Sequence, residues 1–128
     1  MPESKTKDIS VRVENNFQEE SSNPVKDHFV FSYRVTIHNL GEHTVKLLSR
    51  KWDIIDSNTE HRKIEGEGVV GRQPVLEPGQ SHEYVSGCNF QTDMGKMKGH
   101  YIMEKVADGE QFDVDIPEFH MVVPYRLN

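Results

Sequence analysis

The segment Gly66-Glu67-Gly68-Val69-Val70-Gly71 fits the spacing G-x-G-x-x-G, in which glycines let backbone N–H groups close on a phosphate. In dinucleotide-binding folds the last glycine opens a helix whose N-terminus holds pyrophosphate. Here Arg72-Gln73-Pro74 follows, with Pro78-Gly79 soon after. Two prolines so close, amid β-branched residues, leave no room for that crossover helix, and the dinucleotide reading fails. The kinase reading fails too, because no H-R-D or D-F-G set follows. What survives is a bare anion-binding loop in which Arg72, Arg62 and Lys63 add charge. Glu65 and Glu67 oppose it, since they would repel the anion unless they point away. The competing account of the same glycines is a tight bend between sheets, where positive φ or close backbone contact is required.

The seven histidines raise the question of a metal. His82-Glu83 begins like H-E-x-x-H, but Ser86 stands where the second histidine should be, so no zincin is present. His61 and Glu65, or His100 and Glu104, do not promise shared ligation on strands. Asp113 and Asp115 share one strand face, yet a hard cation needs six or more oxygens. No metal site is expected. Cys88 is the one thiol; it falls mid-strand with no visible group to lower its pKa and reads as a buried structural cysteine. Ser86 lacks a base and a G-x-S-x-G elbow. Trp52 and the methionines Met94, Met97 and Met103 read as core and edge filling. No nucleophile, base and orienting partner assemble, so no catalytic residue and no cofactor is expected, and the protein reads as a non-enzyme.

Strands must position these residues. The 128 residues suit one domain, and the chain holds 14 Val and 7 Ile against 5 Leu and a single Ala, Ala107, a bias toward pleated strands. Met1–Lys7 reads as a disordered tail, with residues 8–128 as a single domain. Ile9, Val11 and Val13 mark a first strand. His28–Asn39 is the strongest, with Phe29, Phe31, Tyr33, Val35 and Ile37 on one face. His43–Asp56 returns beside it, its phase slipping through a bulge near Ser49-Arg50. Further strands are expected at His61–Ile64, Ser81–Phe90, Lys98–Val106, Gln111–Ile116 and, after an interruption at Pro117, Phe119–Val123. Glu77-Pro-Gly-Gln80 fits a type II turn. The expected fold is all-β, an antiparallel immunoglobulin or fibronectin type III-like β-sandwich of seven to nine short strands.

The net charge of −6 lacks the basic footprint of a nucleic-acid binder. No apolar run approaches the ~20 residues of a membrane span, and the first residues have no signal-peptide character. A cytoplasmic protein is expected, with a homo-oligomer left open.

Several blocks carry a family resemblance: Glu65-Gly-Glu-Gly-Val-Val-Gly-Arg-Gln-Pro74, Leu76-Glu-Pro-Gly79, Tyr84-Val-Ser-Gly87, Tyr33-Arg-Val-Thr-Ile-His-Asn-Leu-Gly41, Leu48-Ser-Arg-Lys-Trp52, Gly95-Lys-Met-Lys-Gly-His-Tyr101 and Phe112-Asp-Val-Asp-Ile-Pro-Glu-Phe119. Together they resemble the ApaG family over about residues 8–127. One departure is Thr92-Asp-Met-Gly95, where members often carry Pro after the Thr. The resemblance implies a fibronectin type III-like sandwich and an association with cobalt and magnesium efflux or resistance. Related domains look like protein-interaction modules. It implies no catalytic residues. It also implies a pyrophosphate site at Gly66, Gly68 and Gly71, with Arg72 and Gln73 adjacent. The function expected from sequence is therefore a non-enzymatic adaptor that docks an unknown protein partner. The alternatives are phosphate binding at the glycine loop or direct divalent-cation binding.

Overall fold

Large apolar side chains alternate with polar ones along Phe29–Asn39, and that alternation places Phe31, Val35 and Ile37 in the core while Arg34 stays in solvent. The computed structural model describes residues 1–127; Asn128, the last residue of the expected domain, lies outside the described residues. Nine strands run in chain order: β1 (Glu3–Thr6), β2 (Ile9–Phe17), β3 (Phe29–Asn39), β4 (Val45–Asp56), β5 (His61–Glu67), β6 (Val75–Leu76), β7 (Ser81–Phe90), β8 (Met94–Lys105) and β9 (Gln111–Val122). One antiparallel sheet has the order β1-β2-β3-β7. The other has β5-β4-β8-β9, with β6 paired to β4. The two sheets face each other as the expected sandwich.

The core between them is aromatic at its centre. Tyr33 of β3, Trp52 of β4 and Phe119 of β9 pack with ring centroids 5.6 to 6.0 Å apart, offset and tilted as aromatic quadrupoles prefer. The phase slip in β4 is present: register shifts between Leu47 and Ser49, leaving Leu48 without a partner across β8. That one-residue bulge moves burial from Val45 and Leu47 to Trp52, Ile54 and Asp56. Gly79 has φ +88° and Gln80 N donates to Glu77 O at 2.9 Å, which completes the type II turn.

Two expectations change. Pro117 does not divide the last strand. β9 runs on through it, because Pro117 and Glu118 both stand opposite Lys98 between the Met97–Phe119 and Gly99–Ile116 pairs. A bulge of this kind asks no N–H of the proline. The tail is also not frayed throughout, since Glu3–Thr6 pairs with β2. Lys7 and Asp8 have φ +46° and +64°, and these two left-handed residues reverse the chain as a type I′ turn does. The new strand is fixed against β9 as well as β2. Ser4 Oγ donates to Asp115 O at 2.8 Å, and Asp115 N donates to Thr6 Oγ1 at 3.2 Å. No helix among the described residues is long and apolar enough to cross a membrane.

Candidate functional site

The glycine segment lies at the end of β5, and each glycine has its own reason. Gly66 pairs with Arg50 of β4. The Arg50 side chain folds back over it, so that a Cβ on Gly66 would sit 2.7 Å from the guanidinium carbon. Arg50 Nη1 then donates to Glu67 O at 3.1 Å and Gly68 O at 2.8 Å. Gly68 has φ +64°, and a Cβ there would overlap the Arg72 carbonyl. Val69 and Arg72 bond each other in both directions, at 2.8 and 3.0 Å, around Val70 and Gly71 with φ +47° and +75°. This is a two-residue turn of the I′ kind. A β-branched residue in that conformation costs about 1–2 kcal/mol.

The turn engages the amides that an anion cradle would use. Gly68 N donates to Leu48 O at 2.8 Å, and the Val69 and Arg72 amides close the turn. Gln73 is a strap: its Nε2 donates to Leu48 O at 2.9 Å and Glu67 Oε1 at 3.1 Å. The Arg72 guanidinium is different. Arg12 and Arg34 pair with carboxylates, and Arg50 and Arg62 donate to carbonyls. Among the arginines whose side chains are described, Arg72 alone has neither ion pair nor hydrogen bond at its guanidinium.

Beside this turn runs β7, the edge of its sheet. Asn39 N donates to Gln80 O, so the even-numbered residues that continue from Gln80 direct their backbone groups to β3. The odd-numbered ones, Ser81, Glu83, Val85, Gly87 and Asn89, direct theirs outward. Arg62 of β5 caps the far end, with Nη2 2.6 Å from Asn89 O and 3.6 Å from Cys88 Sγ. From Ser81 to Gly87 no strand among the described residues covers the edge. Val70 and Val85 are 62% and 51% exposed there. Two hollows of about 590 and 240 Å³ adjoin the turn, and Arg72 and His82 line both. The His82 ring stacks near Tyr84, with centroids 6.3 Å apart. Burial and the neighbouring Arg72 charge lower its pKa from the ordinary histidine value, so the ring is neutral at neutral pH.

Sequence reasoning brought Gly66, Gly68, Gly71, Arg72 and Gln73 together; the structure places Gly66 at the end of β5 and the other four in or beside the Val69–Arg72 turn that follows. Sequence reasoning missed Arg50, and it did not single out β7 as the strand with an open edge. Arg50 was detectable in principle: past the bulge it shares the inward parity of Trp52 and Ile54. Cys88 is buried in β7, and burial pushes its thiol pKa up against the opposing pull of Arg62. Asp113 and Asp115 are exposed on β9, and His61 pairs with Asp53 at 3.0 Å. No group of three or more His, Cys, Asp or Glu positioned as metal ligands occurs among the described residues.

Inside the sandwich the hydroxyls of Tyr84 and Tyr101 hydrogen-bond each other. Burial raises the pKa of Tyr33, Tyr84 and Tyr101 alike, and the nearby Arg50 charge only partly offsets it. The folded protein keeps these three protons at a pH where the unfolded chain, near the ordinary value of about 10, loses them. Stability from this source is complete below pH ~10 and falls above it, by up to about 1.4 kcal/mol per pH unit for each tyrosine. Alkaline titration should show unfolding by circular dichroism at the same pH as most of the tyrosinate absorbance. Absorbance from all three buried tyrosines in a still-folded protein would contradict this.

Comparison with known proteins supplies the family. The ApaG domain model matches residues 19–105. The chain is 48% identical to Protein ApaG of Rhizobium leguminosarum bv. trifolii over 122 residues, covering 95% of this chain and 93% of that one. It is 40% identical to Protein ApaG of Proteus mirabilis, covering 94% and 95%. A crystal structure described as that of an ApaA protein from Bordetella pertussis superposes with a TM-score of 0.88 at 37% identity, covering 96% of each chain. With a family model over most of its length and close relatives along nearly all of it, the chain belongs to the ApaG family.

Proposed function

We propose that this protein is a non-enzymatic cytosolic binding module that captures an extended segment of a protein partner on the open edge of β7. The observation that carries this reading is the row of outward backbone groups at Glu83, Val85 and Gly87, which no strand among the described residues pairs. A polypeptide laid alongside would complete their hydrogen bonds, and nearby side chains would supply selectivity. Val70 and Val85, both exposed beside the edge, give such a segment apolar surface to cover. The link to cobalt and magnesium resistance that the resemblance implies would then run through the partner.

The competing reading, a phosphate held by Gly66, Gly68, Gly71, Arg72 and Gln73, has less support. The amides of Gly68, Val69 and Arg72 are engaged with carbonyls, and Gln73 is engaged with Leu48 and Glu67.

Val85→Pro tests the edge. Proline removes one outward N–H, and an edge strand tolerates it where a central strand would not. The expected result is a fold unchanged by circular dichroism, with capture of partner proteins from cytosol reduced at least about tenfold, the effect of losing one or more charge-free hydrogen bonds plus register. If the wild type captures nothing above a tag-only control, or Val85→Pro captures the same proteins equally, the edge is not the docking surface.

A further inference from the structure

The edge that the preceding reading invokes has a chemical preference of its own. His82 and Tyr84 are both even-numbered in β7, so their side chains lie on the core-facing side of the sheet, two residues apart. A strand added beside β7 would project side chains on that same side at matching positions, also two residues apart. A side chain opposite Tyr84 would face the hollow of about 240 Å³ lined by Val69, Val70, Tyr84 and Val85, which Arg72, His82 and Glu83 also line. The position opposite His82 comes beside Arg72, which lines both hollows.

Arg72 is unneutralised there. Its neighbour Glu83 is on the other side of the sheet and pairs with Arg34 at 2.9 Å. Burial and the Arg72 charge hold the His82 pKa below its ordinary value, so Arg72 is the main positive charge there. The overall charge of −6 repels acidic segments in general. Along the open part of β7 the local attraction comes from Arg72, whose guanidinium has neither ion pair nor hydrogen bond.

We infer that the β7 edge selects extended protein segments bearing an aspartate or glutamate two residues from an aliphatic side chain, with the carboxylate on Arg72 and the aliphatic group in the Val69–Val70–Tyr84 hollow. This rests on the edge-docking reading. The carboxylate is a side chain's, because strand addition runs the partner past Arg72 rather than ending it there. Arginine suits this role because its planar fork meets a carboxylate in two parallel bonds.

The test is selection of random dodecapeptides displayed on phage against three proteins: wild type, Arg72→Glu and Val85→Pro. Peptides enriched on the wild type should carry an acidic residue two positions from Ile, Val or Leu. Resynthesised with Gln in place of the acid, they should bind about three- to fivefold more weakly, the fold-change of a partly exposed ion pair of up to ~1 kcal/mol. Arg72→Glu should reverse the preference toward Lys or Arg at that position, and Val85→Pro should lose all of them. Peptides that depend on Val85 but show no acidic bias, or a bias that survives Arg72→Glu, overturn this inference and leave edge docking intact. Peptides indifferent to Val85→Pro, or no enriched peptides at all, overturn both. A dimer by sedimentation that Val85→Pro dissolves would show a second copy of the chain as occupant and would also overturn the inference.

Discussion

Phe119→Ala should lower the unfolding free energy by about 3–5 kcal/mol, the usual cost of emptying a buried aromatic site. Phe119 has no exposed surface and packs against both Tyr33 and Trp52, at 5.7 and 6.0 Å between centroids. Those two rings come from different sheets, so Phe119 is where the halves of the sandwich meet. Neither neighbour can collapse into the void. Tyr33 is held in the middle of β3 with strands on both sides, and Trp52 sits in β4 between β5 and β8. A domain of this kind has roughly 5–15 kcal/mol to lose, and the melting temperature should fall by about 10–20 °C. Urea unfolding provides the check: the midpoint should drop while the slope stays constant. A loss under about 1.5 kcal/mol would mean that the site relaxes, and that the aromatic trio does not join the sheets as described.

Gly68→Ala and Gly71→Ala form the second case, and the contrast between them matters more than either value. Both glycines have positive φ, and alanine in that conformation costs about 1–2 kcal/mol. Gly71 should show only that cost, because its Cβ would meet nothing within 4 Å. Gly68 should show more, about 2–4 kcal/mol in total, since its Cβ drives into the Arg72 carbonyl, backbone that cannot step aside without breaking the Val69–Arg72 turn. Differential scanning calorimetry of the two variants measures the gap. Equal losses would deny that the 68–72 backbone is held as tightly as the geometry requires. An anion cradle makes a different forecast: glycine replacement would weaken ligand binding while leaving the stabilities of the two variants alike.

The glycine motif also shows where sequence stopped being informative. Its location was legible, because glycine density and the adjacent Arg72-Gln73-Pro74 mark an irregular turn. Its chemistry was not, because the same spacing serves an outward-facing cradle and an inward-closed turn. The deciding partners, Leu48 O and the Arg50 guanidinium, lie 17 or more residues upstream of the atoms they bind. Strands β3 and β7 were predictable to within a residue, since large residues alternate cleanly along Phe29–Ile37 and at Tyr84, Cys88 and Phe90. The bulge in β4 was readable from the change of parity between Leu47 and Trp52, and it falls at Leu48, one residue before the expected place. β1 was invisible for a physical reason. Glu3-Ser-Lys-Thr6 has no apolar face, and the reversal at Lys7-Asp8 uses two left-handed residues, neither of them glycine. Its stability comes from backbone pairing and from two hydroxyls reaching β9, neither of which leaves a hydrophobic period.

The attachment of β1 to β9 restricts where a further strand can be added. Sheet edges are templates for further growth, and a protein with two of them can be built head to tail into a filament. Here Ser4 and Thr6 occupy the outward groups of Asp115, and Asn15 Nδ2 occupies His120 O at 3.2 Å. Part of the β9 edge is therefore occupied by the chain itself, while β1, β5 and β7 are the other edge strands of the two sheets. A self-complementary contact through β7 alone would close at two copies rather than propagate. In polymer terms β1 caps this end of β9: a strand cannot be added there without first displacing Ser4, Thr6 and Asn15.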